Sequence, residues 1–328
     1  MNGETWNMEE LKDLAPASFF SKALSIMQYQ AQNNAVYGEW VQSMKVQLDG
    51  IRCLEEIPFL PIHFYKTFAI YTGTACPTFH FESSGTTQDI VSKHFVKDLQ
   101  VYEQSFLECF QQFYGAPKAY CILGLLPNYL ERQHSSLVYM TEHLIQASAH
   151  EKSGFYLYDF EKLNHTLAVL EKAQQKTLLI GVSFALMDFV DAYPQNLKYT
   201  MVMETGGMKG RKQELTKPAL HAYLANGFGV EFIHSEYGMT ELLSQAYSKG
   251  GGMYHCPPWM KVLVADESDP TALSATGRGV LHIIDLANFN SCAFIATEDI
   301  GVVYPNGSFE VIGRLDQSAR RGCSLLVV

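Results

Sequence analysis

The sequence predicts an α/β fold: a mainly parallel sheet covered by helices on both faces, followed by a small β-rich part. Between about residues 96 and 233, continuously apolar runs such as Tyr120-Cys-Ile-Leu-Gly-Leu-Leu126 and Leu178-Leu-Ile-Gly-Val182 alternate with segments of helical apolar spacing. A strand that is apolar on both sides needs cover on both faces. Beyond Gly250-Gly-Gly252 the helical spacing stops, and strands separated by turn residues take over. The expected units are residues 1–250, an α/β core, and residues 251–328, a β-rich subdomain.

The elements follow in order. The opening Met1-Asn-Gly-Glu-Thr-Trp-Asn-Met-Glu-Glu10 is acidic and lacks the basic and apolar regions of a leader peptide. Residues 17–48 are expected to be helical, with Phe19, Phe20, Ala23, Leu24, Met27 and Ala31 on one face. Two prolines make Ile57-Pro-Phe-Leu-Pro-Ile62 an extended link. An aromatic segment, Phe64 to Tyr71, leads towards Phe81-Glu-Ser-Ser-Gly-Thr-Thr87. The stripe Leu99, Tyr102, Phe106, Cys109, Phe110 and Phe113 predicts a helix over 96–113. Strands are then expected at 120–126, 154–158, 178–182, 199–203 and 230–233, with helices at 135–149, 160–175, 184–192 and 214–225 between them. The last part should hold strands at 260–264, 279–285, 293–296, 300–304 and 309–312, turning at Asp269-Pro270 and Asn306-Gly307.

Composition narrows the function. With 328 residues, 47% hydrophobic and 18% charged, the chain has the balance of a soluble globular protein with ample core. A net charge of −10 argues against nonspecific nucleic-acid binding, which needs clustered cations, but leaves room for one local anion site. Seven scattered cysteines without a C-x-x-C pair, and the absence of H-E-x-x-H, point to a reducing compartment without zinc or a disulfide framework. No apolar run approaches the roughly 20 residues that span a bilayer, so a cytoplasmic location is expected.

Ser83, Ser84, Gly85, Thr86 and Thr87 are the densest chemical signal. Gly85 permits a sharp turn, and four hydroxyls with the backbone N–H groups can converge on an anion. The same composition also makes surface turns. Open α/β sheets bind ligands beyond the carboxyl ends of their strands. At such ends stand Asn128-Tyr-Leu-Glu-Arg132, Glu204-Thr-Gly-Gly207 with Lys209-Gly-Arg211, and Ser235-Glu-Tyr-Gly-Met-Thr-Glu241, where Gly238 lets the backbone approach a planar ring. Thr297-Glu-Asp299 ends a β segment with an acid able to accept from two ribose hydroxyls, and Gly313-Arg-Leu-Asp316 precedes Arg320-Arg-Gly-Cys323. Arg320 and Arg321 favour a Cys323 thiolate, whereas Ser324, Leu325 and Leu326 suit a buried small hydrophobe. Walker, dinucleotide-binding and hydrolase-elbow patterns do not occur; Gly181-Val-Ser-Phe-Ala185 lacks the second glycine of the elbow.

In sequence order, Ser83-Ser-Gly-Thr-Thr87, Glu236-Tyr-Gly-Met-Thr-Glu241, Thr297-Glu-Asp299 and Gly313-Arg-Leu-Asp316 resemble the signatures of adenylate-forming enzymes. Within that superfamily the chain looks most like the acyl-protein synthetases of LuxE type. Leu126-Pro-Asn-Tyr-Leu-Glu-Arg132, Ser135-Ser-Leu-Val-Tyr-Met140, Glu204-Thr-Gly-Gly207 and Arg321-Gly-Cys323 carry that narrower likeness. The resemblance implies the large-domain fold of these enzymes and activation of a carboxylic acid, foremost a long-chain fatty acid, as acyl-AMP with transfer to a thiol. It implies ATP and Mg²⁺ as cofactors and an acyl reductase or acyl-carrier protein as partner. By the same resemblance, Ser83 to Thr87 hold the β- and γ-phosphates, Gly206 and Gly207 flank the nucleotide, and Tyr237 and Gly238 line the adenine. Thr240 meets the α-phosphate, Glu241 holds Mg²⁺, Asp299 takes the ribose hydroxyls, Arg314 takes ribose or phosphate, and Cys323 accepts the acyl group. Two departures stand out. The phosphate stretch continues Gln88-Asp-Ile-Val-Ser-Lys93, so its lysine falls late. The superfamily's usual C-terminal domain, which bears the adenylation lysine, is expected to be absent, as in other acyl-protein synthetases. Alternatives are an aryl- or acyl-CoA ligase of phenylacetate type, and a non-catalytic nucleotide- or acyl-adenylate-binding subunit.

Overall fold

The computed structural model describes residues 6–83, 90–127, 134–206 and 215–315. A short helix, α1 (Met8–Leu11), is followed by α2 (Phe19–Asn33) and α3 (Ala35–Ser43). The single helix expected over 17–48 is thus two. Asn34 takes an extended backbone, accepts the Tyr37 N–H at 3.0 Å and donates to the Ser291 carbonyl at 2.9 Å. An Asn that caps the next helix interrupts the one before it. Strand β1 (Leu60–Pro61) and the hairpin β2 (His80–Glu82) and β3 (Lys93–Phe95) then lead to α4 (Leu99–Tyr114), capped by Asp98.

The alternating run gives β4 (Cys121–Leu125), α5 (Ser136–Ser148), β5 (Gly154–Phe155), α6 (Phe160–Lys172), β6 (Thr177–Val182), α7 (Ser183–Ala192), β7 (Thr200–Thr205) and α8 (Lys217–Phe228). The sheet closes with β8 (His234–Tyr237) and the antiparallel β9 (Ala246–Ser248), in the order β5-β4-β6-β7-β8-β9. The strand expected over 230–233 is therefore displaced to 234–237. Gly229, at φ 66°, ends α8, and the Val230 N–H still bonds back to Ala225 at 3.1 Å, so the apolar residues Val230 to Ile233 belong to the approach rather than the ladder.

The last strands are β10 (Met260–Ala265), β11 (Leu273–Ser274), β12 (Gly277–Asp285), β13 (Phe294–Val303) and β14 (Phe309–Arg314). They form a sheet ordered β1-β13-β12-β10-β11, with β14 on β13. The two strands expected at 293–296 and 300–304 are one, β13, because its pairing with β12 resumes across an irregularity at Val280/His282. Asp299 consequently sits within a strand, opposite Arg314 of β14.

Side-chain alternation divides the core. Ile122, Leu178 and Ile180 face a cluster shared with Tyr37, Phe106, Phe110, Ile283 and Phe294, whereas Leu123, Leu179 and Val202 face Leu167, Phe189 and Phe228 under α6, α7 and α8. Each such side chain contributes about 1.5–3 kcal/mol by leaving water. The division into residues 1–250 and 251–328 is a proposal, and Leu60 of the first segment pairs with Ile295 in the second sheet. Among the described residues, no helix is long and apolar enough to cross a membrane.

Candidate functional site

The carboxyl ends of β7 and β8 open onto a cleft of about 110 Å³, to which Gly206, Gly238 and Thr240 all contribute. Glu236 lies opposite Thr205 in the β7–β8 register, and the Thr205 hydroxyl donates to its Oε2. Burial, reinforced by the nearby charge of Glu204, pushes the Glu236 carboxyl up to about 7. A Cβ at Gly238 would press on the Glu236 carboxylate, which would then have to shift.

The loop from Gly238 to Gln245 joins two antiparallel strands, and buried groups pin its backbone. His94 Nδ1 donates to the Thr240 carbonyl at 2.8 Å, and Asn288 donates to the Glu241 carbonyl at 2.8 Å. Asp285, fully buried at the end of β12, accepts the Leu243 and Ser244 N–H groups at 2.8 and 3.0 Å and the Ser244 hydroxyl at 2.6 Å. Three donors on one carboxylate hold the loop from the opposite sheet. Burial nevertheless lifts Asp285 to about 6.

Tyr237 sends its hydroxyl to Asp299 Oδ2 at 2.7 Å, and its ring packs edge-on against Tyr254 and Phe309. Arg314 Nε lies 3.8 Å from the other Asp299 oxygen, and Arg314 Nη2 lies 3.4 Å from Glu298. The Arg314 side chain is 65% exposed, so its ion pairs contribute little to stability. Burial raises Asp299 and Glu241, and the Arg314 charge opposes both shifts.

Ser83 exchanges two bonds with Ser92: its N–H donates to the Ser92 carbonyl at 3.0 Å, and its Oγ accepts the Ser92 N–H at 2.9 Å. The Ser92 hydroxyl in turn hydrogen-bonds Glu241. The base of the hydroxyl-rich stretch is thus two links from the Glu241 carboxylate. Lys93 faces Glu82 across the hairpin at 3.4 Å.

Of the residues singled out in the sequence, Ser83, Gly206, Tyr237, Gly238, Thr240, Glu241, Asp299 and Arg314 come together here. Ser84, Gly85, Thr86, Thr87, Gly207 and Cys323 lie outside the described residues, as do Asn128–Arg132 and Lys209–Arg211. Sequence reasoning missed His94, Gln245, Asp285 and Asn288, and the network around Glu204. Glu204 is fully buried and meets Lys217 Nζ at 2.5 Å and His221 Nε2 at 3.3 Å, while Ser183 Oγ lies between Glu204 and the Gly206 carbonyl. An acid closing an apolar strand is the signal that could have found Asp285 and Glu204; His94 and Gln245 left none.

Among the described residues no cluster of three or more His, Cys, Asp or Glu side chains could cage a metal. A single buried carboxylate, Glu241, fits Mg²⁺, a hard cation commonly held by one or two carboxylates together with substrate phosphates. An aromatic wall, a hydroxyl-bound acid and an exposed arginine beside a glycine-lined cleft can hold a ring, a diol and an anion at once.

The family described as acyl-protein synthetase, LuxE, matches residues 6–328. The long-chain-fatty-acid--luciferin-component ligase of Aliivibrio fischeri is 21% identical over 353 aligned residues, covering 98% of this chain and 90% of that protein. Among solved structures, a long-chain-fatty-acid-CoA ligase (FadD1) from Archaeoglobus fulgidus superposes with a TM-score of 0.52 at 14% identity, covering 75% of this chain and 53% of that one. The luciferase-like enzyme from the nonluminescent mealworm Zophobas morio gives 0.50 at 16% identity, covering 81% and 62%. The chain therefore spans between about half and three fifths of the length of these two structures, and at such identities they establish the fold alone.

Proposed function

The chain belongs to the acyl-protein synthetase (LuxE) family, and from that membership we propose that it activates a long-chain fatty acid with ATP and passes the acyl group to a thiol. The substrate carboxylate attacks the α-phosphorus of ATP; pyrophosphate leaves and acyl-AMP remains. A thiolate then attacks the acyl carbonyl and AMP departs. The first step exchanges a poor leaving group for a good one, and its main demand is neutralisation of phosphate charge.

In this reading Tyr237 and Gly238 border the adenine, Asp299 takes the ribose hydroxyls, and Thr240 and Arg314 meet phosphate. Glu241 holds Mg²⁺, which screens the phosphate oxygens when bound. The Ser83–Thr87 stretch grips the outer phosphates, Gly206 and Gly207 flank the nucleotide, and Cys323 is the proposed acyl acceptor. An acyl reductase or acyl-carrier protein is the proposed partner, and the cytoplasm the proposed location. The observation that supports this most is the bonded chain Tyr237–Asp299–Arg314, because these residues lie far apart in sequence and match the order of the superfamily's nucleotide signatures.

ATP–pyrophosphate exchange across a panel of carboxylic acids tests the reading. Exchange with fatty acids, together with label retained on the wild-type protein and lost in Cys323→Ala, is the expected result. Release of a CoA thioester would mark an acyl- or aryl-CoA ligase instead. Nucleotide binding without exchange for any acid would overturn both in favour of a binding subunit.

A further inference from the structure

One group lining the cleft has no part in the nucleotide contacts proposed above. Gln245 lines the cleft and is 3% exposed, yet its Oε1 has no hydrogen-bond partner among the described residues. A buried amide oxygen without a donor is costly, and native proteins rarely keep one unless a partner arrives from outside the chain.

The surroundings indicate what arrives. Gln245 and Glu236 share one wall: a Cβ on Gly238 would lie 3.6 Å from Gln245 Cγ and still closer to Glu236 Oε1. Helix α5 also opens onto the cleft, with Ser135 and Ser136 lining it. Ser135 Oγ caps the Val138 N–H, so the positive end of this 13-residue helix faces the space where a carboxylate would sit. Thr205 adds a hydroxyl, and Met140 and Met239 supply the apolar side. An unsubstituted polymethylene chain would leave Gln245 Oε1 unpaired.

We propose that Gln245, beside Glu236, reads a hydrogen-bond donor carried close to the substrate's carboxyl carbon, so that the preferred substrate is a hydroxylated fatty acid. The proposal rests on the carboxylate-activating reading of the same cleft. Gln245 Oε1 accepts from the substrate hydroxyl, and the unsubstituted acid forfeits that bond in a closed site. Sites built to bind a hydroxyl reject analogues lacking it far more strongly than apolar pockets reject a missing methylene.

The test is ATP–pyrophosphate exchange with tetradecanoic acid and 3-hydroxytetradecanoic acid, run on wild type, Gln245→Leu and Gln245→Met. Circular dichroism establishes which variants fold, and either variant suffices. The wild type should favour the hydroxy acid in kcat/KM by about tenfold or more. The variant should lose that preference, mainly through a fall on the hydroxy acid. A wild type that favours the plain acid, or a ratio unchanged in the variants, would overturn the inference and leave acid activation standing, with Gln245 served by an ordered water. No exchange with either acid, or with any other of a wider panel, would overturn both.

Discussion

Replacing Lys217 with methionine keeps most of the side-chain stem and removes its charge. Lys217 Nζ lies 2.5 Å from Glu204 Oε1 and 3.0 Å from the Tyr254 hydroxyl, and Glu204 is fully buried. Burial by itself pushes the Glu204 carboxyl up. The Lys217 charge, with hydrogen bonds from His221 and Lys217, outweighs burial and holds it down to about 2, against an ordinary 4.5. At about 1.4 kcal/mol per pKa unit, that depression corresponds to on the order of 3 kcal/mol of folding stability. Breaking one side of a buried pair costs about 3–5 kcal/mol, a range that includes this figure.

The pH dependence follows from the direction of the shift. In the wild type the contribution is fully present above 4.5 and is lost as the pH falls towards about 2. In Lys217→Met burial dominates, the carboxyl rises above its ordinary value, and the variant loses stability as the pH climbs. The gap is therefore widest at neutral pH and narrows on acidification. Urea unfolding of wild type, Lys217→Met and Lys217→Arg from about pH 7 down to about pH 5 measures it. A Lys217→Met protein within roughly 0.5 kcal/mol of wild type at neutral pH, or a deficit indifferent to pH, would refute the reasoning. The same variant should bind nucleotide less well, because Ser183 links Glu204 to the Gly206 carbonyl.

Three further outcomes are expected. Gly238→Ala adds a Cβ that displaces the Glu236 carboxylate or intrudes on the cleft, so ATP affinity measured by equilibrium dialysis should fall about tenfold, or about 1.4 kcal/mol; unchanged binding would mean that the backbone there does not approach the ligand. Glu236, raised by burial to about 7, costs the wild type stability as the pH rises from 4.5 through 7. Glu236→Gln should escape that loss and be more stable by about 1–3 kcal/mol above pH 7, with little difference near pH 4.5, as read by denaturant titration. Thr86→Val with Thr87→Val should weaken ATP binding more than Lys93→Ala does, since Lys93 is engaged with Glu82; calorimetry giving the reverse order would reassign the phosphate grip to the lysine.

Part of this protein was fixed by its sequence alone. Period-two and continuous apolar runs specify the strands whatever their partners, because burial on both faces leaves no other residue choice. Leu178 to Val182 and the α4 stripe from Leu99 to Phe113 accordingly appear where patterning puts them. The candidate site was legible in a different way: Tyr237, Gly238, Asp299 and Arg314 stand in stretches whose order resembles a known family's, and the structure brings them together. Other features required the tertiary structure. The break at Asn34 combines a local N-cap to the Tyr37 N–H with a bond to the Ser291 carbonyl more than 250 residues away, and no local propensity reports the second. The shift of a strand from 230–233 to 234–237 was decided by where α8 ends and by pairing with Met203–Thr205. The groups that hold the site, namely Asp285 under the Leu243–Ser244 amides, Lys217 beside Glu204 and His94 under Thr240, are ordinary residues in sequence. Only the fold, by burying them against one another, gives their charges and hydrogen bonds a single set of partners.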